Sequence, residues 1–110
     1  MLWNLFRSGS GTAAVPAREL AQRLAAGETP TVIDVREPSE YRQGHIPGSR
    51  LIPLGQIMDR LSEIPTDGPV YVICRSGGRS AQAAQRLGEA GLTAINVAGG
   101  MMAYPGPTER

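Results

Sequence analysis

The sequence is short of reactive and charged side chains of several kinds: it has one cysteine, one histidine, one tryptophan and no lysine. One cysteine cannot close an internal disulfide, and with His45 as the sole imidazole it cannot build a thiolate or histidine metal site. No metal and no other cofactor is therefore expected. A lone thiol also favours a reducing compartment. No apolar run approaches the ~20 residues that span a bilayer, which argues against an integral membrane protein. The opening "MLWNLFRSGSG" has a short apolar patch but neither a basic front nor a secretory core and cleavage site, so the cytoplasm is the expected location. Neither sign of charge dominates. Eleven basic residues against ten acidic ones give a net charge of +1, too little to draw in nucleic acid or an anionic membrane. All eleven are arginine. That reads as compositional bias, with Arg75 and Arg79 as the exceptions.

What is present fits one compact domain. A chain of 110 residues with 41% apolar content has enough to build a single core and is not that of a disordered protein. The opening Leu2, Trp3, Leu5 and Phe6 precede a Gly/Ser segment, and residues 1–11 are expected to be a flexible tail whose apolar side chains fold back on the domain. Pro16 opens "PARELAQRLAAG", a helix closed by Gly27. "TVIDV" is a β-branched run suited to a buried strand. A short helix follows from Glu37-Pro38 to Gln43 and stops at Gly44. "SRLIPL" reads as a brief strand, "GQIMDRLSEI" as a helical turn or two, and "TDGP" as a turn. "VYVIC" is the clearest strand. From Arg79 to Ala90 the pattern is helical, with Ala83, Ala84, Leu87 and Ala90 on one side and Gly91 as the stop. "TAINV" is a last strand before Gly99 and Gly100. Strands alternating with helices at this spacing argue for an α/β fold with a parallel sheet covered on both faces.

Cys74 stands where the clearest strand ends, and six residues later a helix is under way. In such sheets ligands bind beyond the carboxyl ends of strands. Gly77 and Gly78 allow a sharp turn whose amides point inward, beside the positive end of the helix dipole. Helix N-termini and nearby guanidinium groups lower a cysteine pKa from ~8.5 to roughly 3.5–7.5. Oriented amides, aided by Arg75 or Arg79, are expected to do this for Cys74 and leave a nucleophilic thiolate facing an anion cradle. The plainer alternative is a cysteine buried as a small apolar residue. Two glycines and two arginines directly after it favour the reactive reading.

"CRSGGRS" closely resembles the active-site loop of the rhodanese family of sulfurtransferases. "DVREPSEYRQGHIPGS", residues 34–49, is similar to a second hallmark of that family, and "NVAGGMMAY" to its glycine pair near the C-terminus. The resemblance covers roughly residues 12–104, leaving 105–110 as a short C-terminal tail. It implies a rhodanese-like parallel sheet of about five strands flanked by helices on both faces. It also implies that Cys74 takes a sulfane sulfur from a donor such as thiosulfate, becomes a persulfide, and passes the sulfur to cyanide, a small thiol or a protein thiol. Carried over by position, Arg75 meets the anionic donor, and Arg79 holds loop carbonyls or supports the sulfur anion. Ser76 offers a hydroxyl near the persulfide, and Ser80 caps or braces the helix start. The amides from Arg75 through Gly77 and Gly78 to Arg79 line the cradle. Asp34 and Arg36 are expected to form a buried ion pair or loop anchor, and His45 to be structural rather than a base.

Two departures from the family stand out. Tyr104 occupies a position where tryptophan is common, and Pro105, Gly106 and Pro107 cut short the last helix. With no second cysteine, a sulfur on Cys74 must leave to a separate acceptor. Phosphatases and arsenate reductases that share this fold have a loop one residue longer; the four residues Arg75 to Gly78 crowd a tetrahedral phosphate. A non-enzymatic sulfur carrier or partner-binding module is the leading alternative, ahead of phosphatase or arsenate reductase chemistry. Oligomeric state is not legible in the sequence.

Overall fold

The computed structural model describes residues 13–110. The expectations for residues 1–11 lie outside them. Five strands form one sheet: β1 (Ala13–Pro16), β2 (Thr31–Asp34), β3 (Arg50–Leu51), β4 (Val70–Ile73) and β5 (Ala94–Ala98). The spatial order is β1-β5-β4-β2-β3 and every pairing is parallel. The helices are α1 (Ala17–Ala25), α2 (Pro38–Arg42), α3 (Gly78–Glu89) and α4 (Gly100–Ala103).

Strand β4 lies third of five, and all four of its residues are buried because both faces of the sheet are covered. On one face, Ala83, Ala84 and Leu87 of α3 pack on Ile33, Val35, Val70 and Val72, with Ile52, Ile57 and Ile64 closing the cluster. On the other, Ala17 and Leu20 of α1 pack on Val32, Tyr71, Ile73 and Val97, flanked by Met101 and Tyr104. The α/β architecture is as the sequence led us to expect.

The differences are local and have physical reasons. The sequence reading named four strand-like runs; β1 was not among them. "AAVP" is too short and too small to stand out, and Pro16 is tolerated as its last residue because β1 is an edge strand. Pro16 then serves as the N-cap of α1. Of "SRLIPL", only Arg50 and Leu51 pair with β2. The Ile52 and Leu54 N–H groups still donate to the carbonyls of Asp34 and Val35, at 2.9 and 3.1 Å, before the chain enters 3₁₀ turns at Leu54–Gln56 and Leu61–Glu63. Helix α3 begins one residue before Arg79, and Ala90, expected on the core side, is exposed as its C-cap. Residues 105–110 fold back: Glu109 and His45 exchange both backbone hydrogen bonds, at 2.8 and 2.9 Å.

Candidate active site

Cys74 follows the last residue of β4, and the turn into α3 is made by Gly77, whose φ of +110° lies in the region that favours glycine. The turn brings the Gly77 N–H to 3.1 Å from Cys74 Sγ, to which it donates. The Ser80 hydroxyl, on the first turn of α3, donates to the same sulfur at 3.3 Å. Ser80 is fully buried. Its hydroxyl is therefore turned to the thiol rather than used to cap or brace the helix, which corrects the expectation for this residue.

Burial of Cys74, which is 1% exposed, works against ionisation. The Ser80 hydroxyl and the amides of Ser80, Gly77 and Ser76 outweigh it and hold the thiol below its ordinary pKa. The lowering comes from these hydrogen bonds. Arg79 donates from both terminal nitrogens to Glu40, at 2.7 and 2.9 Å, and among the described residues to no loop carbonyl. Arginine 75 is exposed, and among the described residues its side chain makes no hydrogen bond or ion pair. Ser76 and Gly78 are exposed on the outer side of the loop.

Asp34 and Arg36 form a buried pair with four contacts. Arg36 Nε donates to both carboxylate oxygens at 3.0 and 3.1 Å, its terminal nitrogen to Oδ2 at 2.8 Å, and its backbone N–H to Oδ1 at 3.0 Å. Arg36 also donates to the Gly44 carbonyl at 2.8 Å, which ties the end of β2 to the end of α2. His45 stacks on Tyr41 with ring centroids 3.7 Å apart. Its Nδ1 lies 2.9 Å from the Tyr41 carbonyl and its Nε2 3.6 Å from the Glu109 carboxylate, so neither ring nitrogen is engaged with the thiol.

Three contributors were missed by the sequence reading. Glu40 bridges to α3 across 39 residues of sequence. Asn96 on β5 donates to the Gly77 carbonyl at 3.3 Å and helps fix the rotation of that peptide. Helix α4 docks on the loop from outside, with Met101 and Met102 N–H donating to the carbonyls of Cys74 and Arg75 at 2.9 and 3.0 Å. That approach needs Gly100, where a Cβ would stand 2.5 Å from both carbonyl oxygens. The "GGMM" motif was visible; its contact with the loop was not.

Beside the loop opens a cleft of about 320 Å³ lined by Glu40, Gln43, Arg75, Met101, Met102 and Thr108. Met102 is 69% exposed on its rim. No group of three or more His, Cys, Asp or Glu side chains among the described residues is placed to hold a metal ion. No described helix is long and apolar enough to cross a membrane.

Comparison with known proteins places this arrangement. A structure of a rhodanese-like domain protein from Staphylococcus aureus superposes with a TM-score of 0.81 at 33% identity, over 86% of this chain and 93% of that one. A sulfurtransferase of Allochromatium vinosum is 41% identical over 91 residues, 82% of this chain and 85% of its own length. The protein YqhL of Bacillus subtilis is 50% identical over 76 residues, 68% of this chain; the match spans 60% of the length of YqhL. The family model for the rhodanese-like domain matches residues 16–105. With the fold, the loop and these likenesses in agreement, the chain belongs to the rhodanese-like domain family.

Proposed function

We propose that this protein is a sulfurtransferase that carries sulfur as a persulfide on Cys74. The observation that carries the proposal is the sulfur's setting: one atom at the N-terminus of α3 receives the Gly77 N–H and the Ser80 hydroxyl, donors that favour its ionised form. The likeness to a protein named as a sulfurtransferase supports it.

The Cys74 thiolate attacks the outer sulfur of thiosulfate. A new S–S bond forms, the old one breaks with its electron pair, and sulfite leaves. The donors to the sulfur favour the thiolate, and His45, with both ring nitrogens engaged elsewhere, is given no role as a base. The persulfide anion that remains lies among the same amides, which stabilise its charge as an oxyanion hole would. An acceptor thiolate or cyanide then attacks the terminal sulfur, and Cys74 departs again as thiolate. The cleft beside Arg75 is assigned to donor and acceptor because it adjoins the loop; Cys74 itself is nearly covered and is not among the residues that line it. Arg75, with no partner among the described residues, meets the anionic donor there.

Incubation with thiosulfate is expected to raise the intact mass by one sulfur atom, and cyanide to remove it as thiocyanate. Cys74→Ser should load no sulfur while unfolding at the same denaturant concentration as the parent chain. Equal turnover by Cys74→Ser overturns the proposal, as does a parent protein that neither loads nor transfers sulfur.

A further inference from the structure

The Arg79–Glu40 pair joins α2 to the first turn of α3, and nothing in the transfer chemistry requires it. Its geometry is two parallel charge-assisted hydrogen bonds, 2.7 and 2.9 Å, between part-buried side chains. Glu40 is itself fixed. Its Oε1 accepts the Glu37 N–H at 2.9 Å as half of a capping box at the start of α2. The carboxylate is thus clamped from its own helix before it reaches Arg79.

Arg79 stands on the first turn of α3, one residue before Ser80, whose hydroxyl donates to Cys74 Sγ. A guanidinium free to turn toward the sulfur would stabilise the anion further. That has a cost for chemistry: nucleophilicity falls as thiol pKa falls, and a persulfide gripped by a cation is harder to pass on. We propose that Glu40 is a positioning residue for Cys74: by taking both nitrogens of Arg79 it holds the guanidinium away from the sulfur and cancels its charge beside the cradle. The inference rests on the proposed transfer reaction only for its purpose; the charge balance itself is a property of the resting protein.

The other charges around the loop do not duplicate this arrangement. Arg75 is exposed, and Glu37, the N-cap of α2, is exposed as well. Asp34 and Arg36 neutralise one another at the end of β2. Helix α4 and strand β5 bring no charged side chain to the site. Among the described residues, the Arg79–Glu40 pair places a cation on the helix turn that carries Ser80 and neutralises it from a different element.

The test is a charge cycle read by thiolate ultraviolet absorbance against pH, unambiguous because the chain has one cysteine. Glu40→Gln should move the Cys74 ionisation midpoint to lower pH by roughly half a unit to one unit. Arg79→Gln should move it upward, and the double variant should return near the parent value. In single-turnover sulfur loading at a pH where both are ionised, Glu40→Gln should react more slowly, roughly three-fold for each unit of midpoint lost. A pair that only braces the loop would loosen the amides when broken, so that Glu40→Gln shifts the midpoint upward. That result, or no shift, overturns the inference, as does a double variant that stays with Arg79→Gln. If Glu40→Gln does not fold, an unchanged or lowered midpoint in Arg79→Gln overturns it. The titration needs no sulfur transfer, so its outcome is separate from the mass measurement that tests the proposed reaction.

Discussion

A single hydroxyl contributes much of the reactivity assigned to Cys74. Ser80 is buried, donates to Sγ at 3.3 Å, and also presents its own amide to the sulfur. A hydrogen bond to a charged group is worth about 1.5–3 kcal/mol, so Ser80→Ala should raise the Cys74 midpoint by roughly one unit or more. The sign follows from the folded state: removing a donor that favours the thiolate leaves the desolvation of Cys74 less opposed. The acid limb of the sulfur-loading profile should move to higher pH by the same amount. An unmoved limb would mean that the amides alone set the ionisation. At this scale the sequence was only partly legible. Cys74, Gly77 and Gly78 could be read in "CRSGGRS" because a turn after a strand dictates their residue types. Ser80 could not be assigned, because a serine near a helix start has capping as its ordinary use. Only the turn of α3 decides that its hydroxyl points back along the chain.

Among the elements, α4 does the most with the fewest residues. Four residues cannot form a stable helix alone, and α4 persists because its first turn is seated on the carbonyls of Cys74 and Arg75. Gly100 combines a φ of +56° with a site where a side chain would strike backbone. Gly100→Ala should therefore cost about 2–4 kcal/mol, from left-handed strain plus overpacking against atoms that cannot swing aside. Denaturant unfolding checks this; a loss under about 0.5 kcal/mol, the range of ordinary surface substitutions, would show that α4 shifts freely. The periodic helices α1 and α3 were legible because burial imposes a pattern on many residues at once, and β4 because its four residues form an unbroken apolar run. Strand β1 and the docking of α4 were not, since each depends on pairing with distant chain: β1 with β5, α4 with the loop.

For the whole molecule, the contacts that join distant segments around the site are polar, and one of them makes stability depend on pH. Arg79 holds the Glu40 carboxyl down to about 2 from 4.5, assisted by the Glu37 amide. A depressed carboxylate stabilises the fold above its unfolded pKa and stops doing so as pH falls through the folded value. Glu40 should thus contribute roughly 2 kcal/mol at neutral pH, allowing for solvent screening, and lose it between pH 4.5 and about 2. Chemical denaturation across that range should show the parent chain converging on Glu40→Gln in acid; a constant gap would contradict the assignment. The last residues, read from sequence as a tail, take part in the same closure. Thr108 lines the cleft and Glu109 pairs with His45. Proline-rich segments give no periodic signal from which such a return could be read. The docking of α4 has a further consequence for the sulfur. A trans peptide points its oxygen and its hydrogen in opposite directions, and no peptide in the described chain is cis. Once Met102 has claimed the Arg75 oxygen from outside, the hydrogen of that same plane, carried by Ser76, is left to face inward at Cys74. The electrical polarity that the nucleophile experiences is thus imposed from behind, by a helix that itself donates no hydrogen bond to the sulfur.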